Sequence, residues 1–276
     1  MAADISQLEF PKASGSCLKA MEMISEGDTD INALDKIISS DPILASTIIK
    51  YGNSPIHRRQ SEITNVATAI NILGMKNVYN ALVMAIMKGY AAGNKTSELI
   101  LQHCMTISAL SSFIASRTFK KAQHDMELIG IMHDLPSLVL CSNYRKEYRE
   151  LMADISKADK PLEVLEEEIF AVSRAEIIGR SVKEFSFPEK ISSVLIANCS
   201  KPEIGPVEAD EDRYLSILCL SHHIEASVVP AQFLMYDTIV GDRQQLCDNL
   251  EIVDTDYSDI IDDAQEVINE HVSQVA

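Results

Sequence analysis

Helix punctuation recurs along this chain at intervals that leave room for helices and for little else. Asp41-Pro42 is a start signal: the Asp side chain caps free amide groups, and Pro fits the first helical position because its missing N–H would be unpaired there anyway. Gly52-Asn53-Ser54-Pro55 is a stop one short helix later. Gly74 follows an apolar run and predicts a left-handed turn that closes it. Around these marks the apolar residues recur at steps of three and four, as in Ile31, Leu34, Ile37 and Ile38, or Val66, Ala69, Ile70 and Leu73. Alternation of apolar and polar residues, the mark of a strand, is almost absent. Ten Gly and nine Pro are few for 276 residues, which again favours helices over a turn-rich β fold. The fold class read from the sequence is all-α.

The spacing predicts helices over about 16–25, 31–38, 42–52, 64–73, 75–90, 96–118, 124–142, 144–156, 162–170, 174–185, 188–199 and 212–226. Ala91-Ala92-Gly93-Asn94 reads as the joint between two helical subdomains, and Lys201 to Pro206 as a loop.

The net charge of −17 argues against a general nucleic-acid binder, which needs basic residues against phosphates, and against docking on an anionic membrane. Lys120-Lys121 and His57-Arg58-Arg59 read as solvated loop charge; the acidic C-terminal region, most negative from Asp248 to Asp263, reads as solvated charge or as a docking surface for a basic partner, the former favoured. The six cysteines are scattered, with no C-x-x-C pair to suggest a zinc knuckle or a thiol redox site. Scattered single cysteines behind a polar, acidic N-terminus predict a reducing cytoplasm. The most apolar stretch, Ala81 to Ala92, is shorter than a membrane span and contains Lys88, so it reads as a core helix.

Three separately spaced segments occur in order: Asp41-Pro42-Ile43-Leu44, then Lys50-Tyr51-Gly52-Asn53-Ser54-Pro55, then Ala69-Ile70-Asn71-Ile72-Leu73-Gly74. They are followed by His103, by Gly130-Ile131-Met132-His133-Asp134, by the run from Phe170 to Gly179, and by Phe187-Pro188. This series resembles the HDOD family, the HD-related output domains of bacterial signalling proteins, over about residues 14–200 and more loosely around 212–226. The resemblance implies an HD-domain-like fold with a packed N-terminal helical subdomain. Its divisions are a lead-in (1–13), an N-terminal helical half (14–93), an HD-like helical half (94–200) and C-terminal helices that complete the fold (201–276). It also implies a role in signal output through protein contact. The sequence departs from the family where many members carry His, Ala-Asp or a His-His pair: it has Arg174, Ser221-His222 and Asn198-Cys199.

In HD-type hydrolases, two imidazoles and two carboxylates surround a metal that activates water and holds a phosphate oxygen. Here the candidate metal ligands are His103, His133 and Asp134, with His222 at the position the resemblance assigns to a late Asp. His103 lies far enough before His133 for a helix, a loop and a return, so the two can face each other. Three His and one Asp form a set suited to zinc or iron rather than magnesium; manganese is a third candidate. Against this stands a structural reading, with His133 bonded to a neighbouring carboxylate and Asp134 capping a helix or pairing with Arg174. Arg174 either opposes a cation by like-charge repulsion or binds a phosphate or carboxylate ligand. The second dipeptide, His124-Asp125, reads as a helix start.

The leading expectation is a non-catalytic, cytoplasmic signalling module with a degenerate HD metal site. It would act on a signalling protein partner or a small ligand, with no resident cofactor, no direct nucleic acid and no membrane. One alternative is a metal-dependent phosphohydrolase or phosphodiesterase using His103, His133, Asp134 and His222. Another is a nucleotide sensor in which Arg174 faces the phosphate.

Overall fold

The computed structural model describes residues 5–27, 29–54, 57, 62–155, 160–185, 187–200, 204–229 and 241–275. Pro55, Arg58, Arg59 and the first half of the expected 201–206 loop lie outside them. Every regular element among the described residues is a helix. The chain divides into two compact units, one of residues 11–90 and one formed by the residues up to Phe10 together with 91–275.

The 11–90 unit contains α1 (Gly15–Glu26), α2 (Ile31–Ser39), α3 (Pro42–Gly52) and α4 (Val66–Ala91, ending at the unit boundary). Its helix starts follow capping chemistry. Ser14 accepts from the Cys17 amide, Asp30 from Asn32, and Asp41 from Ile43 and Leu44, with Pro42 in the first turn of α3. At the end of α3, Asn53 behaves as a piece of backbone. Its amide Nδ2 donates to the Ile49 and Ile63 carbonyls, at 3.0 and 2.8 Å, and its Oδ1 accepts from the Ile63 amide at 2.9 Å. This clasp satisfies groups that a helix end leaves open. Gly74 has the expected positive φ of 72°, but its ψ is 166°, an extended rather than left-handed helical turn. The helix therefore breaks at this glycine and resumes at once. That conformation is nearly confined to glycine.

The larger unit contains α5 (Lys95–Thr118), α6 (Gln123–Met132), α7 (Leu135–Asn143), α8 (Arg145–Asp154), α9 (Leu162–Phe170) and α10 (Arg174–Phe185). It continues with α11 (Glu189–Cys199), α12 (Asp210–Val228), α13 (Arg243–Asn249) and α14 (Asp254–Val275). Helix α5 is central and packs against α6, α7, α12 and α14. It is buried on nearly every face from Ile100 to Ala115, which explains why it lacks a polar stripe. Helices α4 and α5 are each long and apolar enough to cross a membrane, but 67% and 78% of their most apolar stretches are buried inside the protein. Both are accommodated as core helices.

Close approach of α6 to α5 depends on a missing side chain. A Cβ at Gly130 would sit 2.4 Å from Ser108 Cα, inside contact distance of backbone. The Ser108 hydroxyl donates to the Glu127 carbonyl at 2.7 Å, tying the same crossing. On the other side of α5, the hydroxyls of Ser111 and Ser221 meet at 2.9 Å and join it to α12.

The helix expected over 124–142 is two helices. The break falls at His133 and Asp134: His133 ends α6 with helical angles, and Asp134 turns to φ −110°, ψ 23°. Pro136 is the physical cause. It has no N–H to return to the Met132 carbonyl, and its ring would crowd that carbonyl, so α6 cannot run on and Pro136 instead occupies the first turn of α7.

Candidate functional site

Chain reversal between α5 and α6 pivots on the Ser108–Gly130 contact. Residues just before Ser108 therefore lie level with residues just after Gly130, and His103 comes to face His133. Helix α12 brings His222 to the same place. One ligand nitrogen from each of His103, His133 and His222 lies within 4.8 Å of the others, and the three rings are 4%, 1% and 6% exposed. His103 and His222 stack with ring centroids 5.3 Å apart, while His133 meets both edge-on. Among the described residues this convergent group comprises these three histidines and leaves out Asp134.

The partners of the rings determine what they can offer. His133 Nδ1 lies 2.8 Å from the Gly130 carbonyl, which can only accept, so Nδ1 carries the proton. His103 Nδ1 lies 3.1 and 2.9 Å from the two carboxylate oxygens of Glu225 and is likewise the donor. The Nε2 atoms of His103 and His133 stand 3.2 Å apart. Two nitrogens at about 2.0–2.1 Å from one tetrahedral zinc are separated by roughly 3.3 Å, so this spacing suits a metal ion held by imidazoles. The donor set fits a divalent transition metal, with His103, His133 and His222 as holders and Glu225 behind His103.

Asp134 belongs to a second buried network. Its Oδ1 takes an ion pair from Arg174 Nη1 at 3.0 Å and lies 2.7 Å from the Ser137 hydroxyl. Arg174 Nε donates to Glu166 Oε2 at 2.7 Å, and Nη2 donates to Ser137 Oγ at 2.6 Å. Glu166 Oε1 accepts from Tyr148 at 2.6 Å and lies 2.8 Å from Ser137 Oγ. Burial, and behind it the carboxylates of Glu166 and Asp134, push the Tyr148 hydroxyl well above its ordinary range, so it remains a donor. The guanidinium is thus spread over two internal carboxylates and a hydroxyl.

The expected residues therefore part company at one peptide bond, with His103, His133 and His222 on one side and Asp134 with Arg174 on the other. The alternative pairing of Asp134 with Arg174 is present. The expected carboxylate on His133 is replaced by the Gly130 carbonyl, because the end of α6 offers that oxygen three residues back. The other dipeptide, His124-Asp125, lies in the first turn of α6, where Asp125 accepts the Tyr214 hydroxyl at 2.8 Å.

Sequence reasoning missed Glu225 and Glu166. Glu225 stands three residues after His222, so a helix puts both on one face. Glu166 stands four residues after Leu162 and four before Phe170, both buried, which marks it as the inward member of an acidic run.

A model of the HDOD domain matches residues 10–200. A search of curated proteins found no match. Solved structures similar to this chain include an HDOD domain protein of unknown function from Geobacter sulfurreducens, at TM-score 0.71 and 17% identity, covering 98% of this chain and 94% of that one. A Shewanella amazonensis SB2B protein provisionally named a metal-dependent phosphohydrolase is similar at TM-score 0.63 and 16% identity, covering 96% and 94%. A Marinobacter aquaeolei VT8 protein provisionally named a signal transduction protein is similar at TM-score 0.70 and 14% identity, covering 100% of this chain and 61% of that one. At these identities the likeness is one of fold.

Proposed function

The chain belongs to the HDOD domain family, and from that premise we propose that it is a non-catalytic signalling module that acts by contact with a protein partner. The observation that carries this reading is the ion pair between Asp134 and Arg174. A hydrolytic centre of this kind needs carboxylates on its metal and room for a phosphate. Here the carboxylate of the doublet is paired inside the protein, and the three imidazoles are almost wholly buried. A buried Arg held by two carboxylates also speaks against a role as a phosphate receptor, because a ligand would have to displace both. Six free cysteines and a net charge of −17 support a reducing, cytoplasmic setting without nucleic acid or membrane as partners.

Convergence of three histidines favours a second reading, that of a metal-dependent phosphohydrolase. A metal held by His103, His133 and His222 would supply Lewis acidity and a more acidic bound water. The protein's own part would be to hold the rings by the Gly130 carbonyl and Glu225. The experiment that separates the readings is turnover of bis(p-nitrophenyl) phosphate after loading with manganese, iron or zinc, beside His133→Ala. The signalling reading expects no His133-dependent turnover; metal-dependent turnover that vanishes in His133→Ala would overturn it.

A further inference from the structure

We propose that the cleft between α8 and α9 is the docking site for a helical segment of a protein partner, one with an aliphatic face flanked by Lys or Arg. The proposal rests on the protein-contact reading above and deepens it.

The cleft has a volume of about 390 Å³ and lies within the larger unit. Leu151 and Ile155 line it on one side, and Leu165 and Ile169 on the other. Glu147, Glu150 and Asp154 complete the lining, so each charged side chain on it among the described residues is a carboxylate. Helical spacing produces this pattern. Residues 147, 150, 151 and 154 share one face of α8, while Arg145 and Arg149 fall on the opposite side. Helix α9 holds four Glu and no basic residue. Lys146 lies 4.0 Å from Glu150, but both side chains are mostly exposed, and such a pair contributes little in water. Lys160 pairs with Glu168.

The two walls are fastened to each other from inside the protein. Tyr148 of α8 donates to Glu166 of α9 at 2.6 Å, and Phe170 stacks with Tyr144 and Tyr148 at centroid distances of 5.1 and 6.1 Å. The cleft is therefore preformed, and an occupant need not order it. Its volume lies near the low end of the range of about 300–1,000 Å³ for ligand pockets, room for a few aliphatic side chains. Every regular element among the described residues is a helix, so there is no sheet edge for a strand to join. A helix laid in the groove, with apolar residues three and four apart, is the mode that remains. The carboxylates beside the groove attract Lys or Arg on the flanks of that helix and repel acidic partners. A second copy of this chain carries a net charge of −17 and is disfavoured by the same repulsion.

The test uses the full chain and a synthetic helical peptide with leucines three and four residues apart and lysines along both flanks. A second peptide carries glutamate at each lysine position. In methyl NMR, the basic peptide is expected to shift the signals of Leu151, Ile155, Leu165 and Ile169, with binding that weakens as salt rises. The acidic peptide is expected to leave them unchanged. Joint Glu147→Lys and Glu150→Lys should lower the affinity for the basic peptide about tenfold and admit the acidic one, a gain that a misfolded variant would not show. The same change of charge on α14, by Asp256→Lys and Asp259→Lys, should leave the affinity within about twofold. Shifts centred elsewhere would overturn the proposal, and so would equal losses in the two charge-reversed proteins, which would mean attraction to net charge alone. A wild-type dimer in sedimentation that the Glu147→Lys and Glu150→Lys changes abolish would assign the cleft to a second copy and overturn the proposed occupant. Failure of the wild type to bind the basic peptide overturns the cleft as the docking site. The signalling reading itself falls only to His133-dependent turnover, so the two failures are distinguishable.

Discussion

The His133–Asp134 peptide joins two buried polar clusters that solve the cost of burial in opposite ways. Around Asp134, every principal acceptor meets an internal donor: Arg174 reaches Asp134 and Glu166, Tyr148 donates to Glu166, and Ser137 sits between the carboxylates. Around His133, the Nδ1 protons of two rings are spent on Gly130 and Glu225, and the Nε2 atoms of the same rings meet at 3.2 Å. The first cluster carries its own cation in Arg174, while the second gathers ring nitrogens at a spacing that could hold one. Adjacent residues of one motif thus lie in different clusters, the aspartate with Arg174 and the histidine with two other imidazoles. A His-Asp doublet in a sequence does not imply that both side chains serve one ion.

The largest effect should come from opening the closed cluster. Arg174→Met leaves two buried carboxylates without their cation and is expected to cost about 3–5 kcal/mol in urea unfolding. A loss below about 1 kcal/mol would mean that the guanidinium is not what holds the cluster together. Next is the addition of an ion to the histidine cluster. Zinc at one hundred times its dissociation constant should stabilise the wild type by about 2.7 kcal/mol, and His103→Ala or His133→Ala should abolish the gain. Equal gains in all three proteins would place the ion elsewhere.

Gly130→Ala tests the crossing that supports both clusters. Its Cβ would collide with the Ser108 backbone, so a loss of about 1–3 kcal/mol and weaker cobalt(II) binding are expected. Gly179→Ala, with nothing within 4 Å of the new Cβ, is the control and should stabilise by about 0.5–1 kcal/mol through helix propensity. Matching changes at both sites would show that close approach at Gly130 is unimportant. Ser137→Ala is expected to cost about 1–2 kcal/mol for a lost buried hydroxyl bridge. Cobalt(II) affinity should stay unchanged in that variant, because the bridge belongs to the closed cluster; a fall would show that the two clusters act as one.

Much of the helical frame was legible before any coordinates. Asp41-Pro42 starts α3, Gly52 and Asn53 end it, and Gly74 breaks α4, because caps and glycine turns depend on a few neighbouring residues. The break after His133 was legible in principle from Pro136, but apolar spacing continues across it and suggests one helix over 124–142. Periodicity records which face is buried and is blind to a change of axis.

The roles of the polar residues followed a different rule. His103 and His133 were marked by type and spacing, and His222 and Arg174 by family resemblance. Whether Arg174 would repel a cation, take a phosphate or pair with Asp134 was open. Glu166 looked like any other member of an acidic run. By itself the sequence determined where helices begin and end and which residues could carry chemistry, since those depend on interactions within one or two turns. Only the tertiary structure decided that Glu225 faces His103 from 122 residues away and that Arg174 takes Asp134. Such pairings depend on how α5, α6, α10 and α12 pack, and burial, by excluding water, compels each polar group to find its partner among whatever that packing brings near.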